Sequence, residues 1–255
     1  MQITYLEIDD LTDELRDNLE EADEEVVAEF FRRFDYCWVH HEAALEGTVL
    51  TLPEIQGALT QAVVTDLANV TRFKKIRAHF QSLEIVRQAA TPKRLQIKTP
   101  LLQELYETLY LKKDRDKGKF RRDIPLHRTY YHDIIQPDRV EEELEALLKD
   151  VTKSDFKAMH PIKQAAFFNH RFMHVFPWSE ASGIVSRLAS NIILMHYKYY
   201  PVIIHSHDRE RYFNSLKQPQ HVLRDLIMES MENSLRASLK LLRQVEREHM
   251  QVRAG

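Results

Sequence analysis

Residues 160–188, HPIKQAAFFNHRFMHVFPWSEASGIVSRL, constrain the fold more than any other stretch of this 255-residue chain. An amphipathic run from Ile162 to Met173 ends at His174. A turn of small and polar residues follows, with Pro177, Ser179, Glu180, Ala181, Ser182 and Gly183. A second apolar helical run begins near Ile184 and carries Arg187 in its first turn. Helix, histidine, tight turn, helix start is a way to set a base beside an anion site. The first backbone N–H groups of a helix have no partner within it, and the helix dipole favours negative charge there. Phosphate is the ligand this arrangement points to.

The remaining sequence predicts an all-α domain. Apolar residues at 26, 27, 30, 31, 34, 38 and 39 have helical spacing, so a helix is expected from Asp23 to about Leu45, ended by Gly47. Thr51 and Glu54 read as a capping box, with Pro53 tolerated in the first turn, and that helix is expected to reach about Val70. Further helices are expected over 72–90, 101–112 and 138–151, from Ile184 on to Tyr199, over 208–216, and from Pro219 to about Val252. Residues 1–8 read as a short extended arm. Residues 112–122, KKDRDKGKFRR, read as a basic loop, either simply solvated or a charged rim near an anionic ligand. Residues 123–131 alternate weakly, the pattern of a small β-hairpin.

Composition narrows the function classes. Lys+Arg 36 against Asp+Glu 39 gives a net charge of −3, with no global attraction for nucleic acid. The one cysteine, Cys37, excludes an intrachain disulfide framework or a cysteine-rich zinc site, and its aromatic neighbours predict a buried thiol. His170 and His174 stand four apart on one helix face, a spacing that can bind zinc, but no glutamate follows His170 as the H-E-x-x-H pattern requires. No signal-peptide pattern opens the chain and no apolar run approaches the length of a membrane span. A cytoplasmic protein is the expectation.

The stretch after Met173 resembles the signature of the Fic family, H-x-F-x-D/E-G-N-G-R-x-x-R. His174 and Phe176 match its opening, and Glu180, Gly183 and Arg187 match its acid, second glycine and final arginine. This chain departs from the pattern in four ways. Two extra residues lie between Phe176 and Glu180, Ala181 stands for the first glycine, Ser182 for the asparagine and Ile184 for the first arginine. HHEAALEGTVLTLPEI, residues 40–55, is similar to the family's inhibitory helix, S/T-x-x-x-E-G/N. Glu46 and Gly47 match its end, and Glu42 replaces the Ser/Thr. DRERYFNSL, residues 208–216, is similar to the family's segment after the signature, and G-K-F-R, residues 118–121, to the approach to its flap.

The resemblance implies a Fic-like helical domain with a small β-hairpin flap. Residues 1–99 would form an N-terminal helical region with the inhibitory helix, and 100–255 the core and C-terminal helices. It implies a protein adenylyltransferase using ATP and Mg²⁺. His174 would be the general base toward a hydroxyl of a target protein, which docks at the 123–131 flap. Glu180 would hold the metal. Ser182 and Gly183 would cradle phosphate through their backbone, and Arg187 would grip the γ-phosphate. Glu46 would inhibit by pairing with Arg187. Tyr212 and Asn214 are candidate neighbours of the adenine. Neither membrane nor nucleic acid is implied as a partner, and a homodimer is compatible. Two other functions fit the same residues: removal of AMP from a modified protein, and a catalytically silent binding module.

Overall fold

The computed structural model describes residues 3–60, 67–112, 118–125 and 132–254, with side chains from residue 70 onward in the second segment and up to residue 253 in the last. Eleven α-helices are present among them. They are α1 (Tyr5–Glu21), α2 (Glu24–Leu45), α3 (Leu52–Leu59), α4 (Leu67–Ala90), α5 (Thr99–Leu109), α6 (Val140–Thr152), α7 (Ser154–Lys157), α8 (Pro161–Val175), α9 (Ser182–His196), α10 (Arg209–Ser215) and α11 (Gln220–Ala254).

The hairpin of α8 and α9 is the centre. Every residue of α9 from Ser182 to Leu194 is buried. Small side chains let the two helices approach closely, and their hydroxyls are satisfied inside: Ser186 donates to the Asn169 carbonyl at 3.3 Å and Ser190 to the Ser186 carbonyl at 2.8 Å. Helix α11 packs across α8 and also against α1 and α2, while α4 packs on α9, α5 and α3. Beyond α9, Asn191 works as a strand edge in miniature. Its amide donates to the Val202 carbonyl at 3.1 Å and accepts from the Val202 N–H at 2.9 Å, holding the extended residues after Pro201.

Several expectations need correction. Within the expected arm of residues 1–8, of which 1–2 lie outside the described residues, Thr4 and Glu7 instead form a full capping box that starts α1 at Tyr5, and Ile8, Leu11, Leu15 and Leu19 bury one face. The Thr51 capping box does start α3, but that helix stops at Leu59, and α4 is already under way at Leu67. Asp138 lies in a 3-10 turn ahead of α6, and Asp208 in another ahead of α10, where it accepts from Arg211 at 2.7 Å. Cys37 is exposed, because the face of α2 that carries Phe34 and Trp38 inward turns it out. Desolvation still raises its pKa, so it keeps its proton. Among the described residues there is no strand. Residues 126–131, where most of the expected hairpin falls, and residues 113–117 of the basic loop lie outside them. No helix among the described residues is long and apolar enough to cross a membrane.

Candidate active site

His174 is the penultimate residue of α8, and residues 132–135 hold it on two sides. Its Nδ1 lies 2.7 Å from the Asp133 carbonyl, and its own carbonyl accepts from the Ile135 N–H at 3.0 Å. A carbonyl only accepts, so Nδ1 carries the proton and Nε2 is the basic nitrogen. His132 stands edge-on to the ring at a centroid distance of 5.3 Å, with its Nε2 on the Met173 carbonyl at 2.8 Å. Burial lowers the His132 pKa to about 4, so it adds a neutral neighbour rather than a charge. The His170 ring lies tilted beside that of His174 at 4.7 Å, and its Nε2 is engaged by the Gln218 carbonyl at 3.0 Å. No group of three metal-ligating side chains occurs among the described residues.

The turn between α8 and α9 needs two left-handed residues, Phe176 at φ 46° and Ala181 at φ 59°. The second is the position where the signature has glycine, and an alanine there carries a steric cost of about 1–2 kcal/mol. The two extra residues do not bulge outward. Trp178 turns into the core, is 1% exposed, and stacks on Tyr106 at 4.5 Å with planes 5° apart. Ser182 closes the turn: its hydroxyl donates to the Trp178 carbonyl at 2.6 Å and accepts from the Trp178 N–H at 2.9 Å. Its side chain is therefore spent on the turn, which leaves the backbone N–H groups at the start of α9 as its contribution to an anion site. Gly183 is buried beside it.

Arg121, from the supposedly solvated basic loop, is a buried strut beneath this turn. Its Nε donates to the Phe176 carbonyl at 2.8 Å, Nη1 to the Asp123 carbonyl at 3.1 Å, and Nη2 to the carbonyls of Ile135 and Val175. The Arg121 N–H also binds the Pro177 carbonyl at 2.9 Å. The contacts to Val175, Phe176 and Pro177 satisfy carbonyls at and just after the end of α8 that no helix bond can reach.

Glu180 is exposed at the tip of the turn and pairs with Lys112. Arg187, in contrast, is 3% exposed. Its Nε donates to Glu42 at 2.9 Å and its Nη2 to Glu46 at 2.8 Å, so residues 141 apart in sequence meet. The guanidinium lies over the Tyr212 ring at 5.4 Å, and its Nη1 has no hydrogen-bond partner. Glu42 and Glu46 hold the Arg187 pKa well above its ordinary value against the opposing effect of burial. Burial raises the Glu42 pKa while Arg187 opposes that rise. A guanidinium that does not lose its proton and touches both acids makes the charged arrangement the sound reading of this cluster. Tyr212 is fully buried, with its hydroxyl donating to Asn169 at 3.0 Å, and Asn214 accepts from Lys217.

A cavity of about 420 Å³ opens between the turn and α4. Glu46, Glu180, Ala181 and Ile184 line one side, with Lys75 and His79 among the residues of α4 on the other. Its size falls within the range of small-molecule sites. His174 and Arg187 do not line it. The sequence reading missed Glu42 as a second partner of Arg187, although Glu42 and Glu46 are four apart and so share a helix face. It also missed Arg121.

Residues 95–194 match the family described as Fic/DOC. The chain is 25% identical over 184 residues to the protein adenylyltransferase Fic of Drosophila willistoni, covering 70% of this chain and 36% of that protein. To the protein of the same name from Nematostella vectensis it is 23% identical over 186 residues, covering 72% and 43%. The chain thus spans less than half the length of these curated relatives. Among solved structures, a Fic-domain-containing signaling protein from Bacteroides thetaiotaomicron superposes with a TM-score of 0.77 at 19% identity, over 92% of this chain and 98% of that one. Fic-1 from C. elegans does so with a TM-score of 0.75 at 19% identity, over 92% and 70%.

Proposed function

We propose that this chain, a member of the Fic/DOC family through residues 95–194, is an auto-inhibited transferase that moves AMP from ATP to a hydroxyl of a target protein. The observation that carries this reading is the contact of Glu46 with Arg187 at 2.8 Å, beside a turn that begins at a histidine with a free basic nitrogen.

The chemistry follows from the placement of groups. His174 Nε2 takes the proton of the target hydroxyl as the oxygen forms a bond to the α-phosphorus, and pyrophosphate leaves as its bond to that phosphorus breaks. A positioned base of this kind contributes typically ~10²–10⁴-fold. The N–H groups at the start of α9 would face the phosphate oxygens, where fixed donors stabilise developing charge. The turn offers one carboxylate, Glu180, exposed and held by a lysine that can yield it. That fits Mg²⁺, which takes one or two carboxylates with phosphate oxygens and water, and the ion would neutralise phosphate charge there. Glu46 inhibits by keeping Arg187 from the γ-phosphate and by setting its own negative charge on the phosphate side.

A second reading, a catalytically silent binding module, is favoured by one specific observation. Glu42 is buried and also bonds Arg187, so departure of Glu46 alone leaves the arginine held. Transfer of label from α-labelled ATP to protein tests the two. Expected label rises from the wild type to Glu46→Gly, and further in Glu42→Ser/Glu46→Gly. If the folded double variant labels no protein and binds no nucleotide, the transferase reading is lost and the silent module stands. A fall in AMP release from a modified protein on Glu46→Gly would instead indicate the reverse reaction, with Glu46 orienting water.

A further inference from the structure

We infer that Lys75, on the face of α4 turned toward the 420 Å³ cavity, is the cation that receives the distal phosphates of a bound nucleotide. It thereby takes over the charge that an arginine at position 184 would supply. The inference rests on the nucleotide-binding reading of the same site.

Position 184 lies on the cavity wall and presents an isoleucine that is 8% exposed. The near wall therefore offers a polyphosphate backbone donors but no cationic side chain of its own. The far wall differs. Helix α4 crosses it with Arg72, Lys75 and His79, three and then four residues apart, which places all three along one helix face.

The charges around the cavity are nearly all committed. Glu46 is bonded to Arg187 and Glu180 to Lys112. Arg72 donates to the Glu54 carboxylate at 2.7 Å and to the Val49 carbonyl at 3.2 Å. His79 carries no charge at neutral pH, because desolvation, with Arg187 beside it, pushes its pKa down to about 4. Lys75 has no hydrogen bond or ion pair to any described residue, so among those residues its charge on the cavity wall has no partner.

A solvated lysine on a helix is commonplace, and exposure alone would carry no argument. Here the position decides. Lys75 lines a concave site whose wall also includes Ala181 and Ile184, at the start of a helix whose N–H groups favour an anion. Its four-carbon stem and three donors give the charge reach toward a flexible phosphate chain. The chemical class so recognised is a nucleoside di- or triphosphate. A nucleoside monophosphate, whose one phosphate sits at the turn, does not reach α4.

The test is calorimetry of ATP with Mg²⁺, and of AMP, against the Glu42→Ser/Glu46→Gly protein with Lys75, Lys75→Ala or Lys75→Arg. Lys75 is exposed, so its substitution leaves the core intact. Expected is about ten-fold weaker ATP binding with Lys75→Ala, the loss of one charge-assisted contact. Recovery is expected with Lys75→Arg, and AMP affinity within about two-fold throughout. Equal ATP affinity of the alanine variant and its parent overturns the assignment of Lys75 and leaves the transferase reading intact. Equal weakening of ATP and AMP overturns it too, since the lysine would then not discriminate distal phosphates. A parent protein that binds no nucleotide overturns both readings together.

Discussion

Replacing Arg121 by methionine should destabilise the protein by about 3 kcal/mol. The side chain is 5% exposed and its three nitrogens serve four backbone carbonyls, from Asp123, Ile135, Val175 and Phe176. Methionine matches the length of the stem but donates nothing. A hydrogen bond from a charged donor is worth roughly 1.5–3 kcal/mol net, and a buried acceptor left unmet costs roughly 1–3 kcal/mol. Four such bonds on one group do not add, and methionine avoids the cost of burying a cation, which burial already expresses by lowering the Arg121 pKa. The balance is about 3 kcal/mol, or a fall in Tm of roughly 6–12 °C for a chain of this size. Arg121→Lys keeps the charge and reaches fewer of the carbonyls, so it should lose about half as much. Thermal unfolding followed by far-UV circular dichroism reads both. Because these carbonyls fix the end of α8 that carries His174, the lysine variant made in an activated protein should lower kcat with KM little changed. A Tm for Arg121→Met within about 2 °C of the wild type would refute the idea that the strut holds the turn.

His174→Ala should abolish label transfer from α-labelled ATP by an activated variant, with the circular dichroism spectrum unchanged; full activity would remove His174 as the base. Ala181→Gly should raise stability by about 1 kcal/mol, because only glycine adopts φ 59° without steric cost; a urea midpoint that does not rise would show that the alanine methyl packs well enough to offset the strain. Acid should unfold the protein early. Desolvation pushes His41, His79 and His132 to about 4 in the fold, below the ordinary value of 6.5. The unfolded chain therefore binds more protons between those limits. Stability from these groups is present above pH 6.5 and is lost as pH falls toward 4, at a rate of about 1.4 kcal/mol per pH unit for each proton taken up on unfolding. Urea midpoints measured across that window should fall steadily, and a flat profile would contradict the burial of these rings.

What could be read from residues alone followed local rules. Helical spacing and capping chemistry placed α2 and the start of α3, and Gly47 at φ 83° ends α2 as its type predicts. The same Thr-x-x-Glu rule applied at Thr4 finds the start of α1, within residues that otherwise read as an arm. The histidine, turn and helix start near 174–184 were visible as a pattern because their chemistry is local. The remainder depended on contacts far apart in sequence. Arg121 sits in a run of basic residues that looks solvated until the carbonyls it serves are brought to it. Trp178 reads as an insertion, and only Tyr106, 72 residues upstream, makes it a core residue. Glu42 reads as a departure from a pattern, and only Arg187 gives a buried acid its partner.

The chain has two tryptophans, and both are buried on the two halves of the proposed latch. Trp38 lies one helical turn before Glu42 on α2, and Trp178 lies two residues before Glu180, face to face with Tyr106. Their emission is thus a built-in optical gauge. A ligand that pries α2 from Arg187 would wet the first indole, and one that reshapes the turn would unstack the second. Trp38→Phe and Trp178→Phe would assign each colour change to its side, so opening of the latch and filling of the turn can be timed separately in one unlabelled protein.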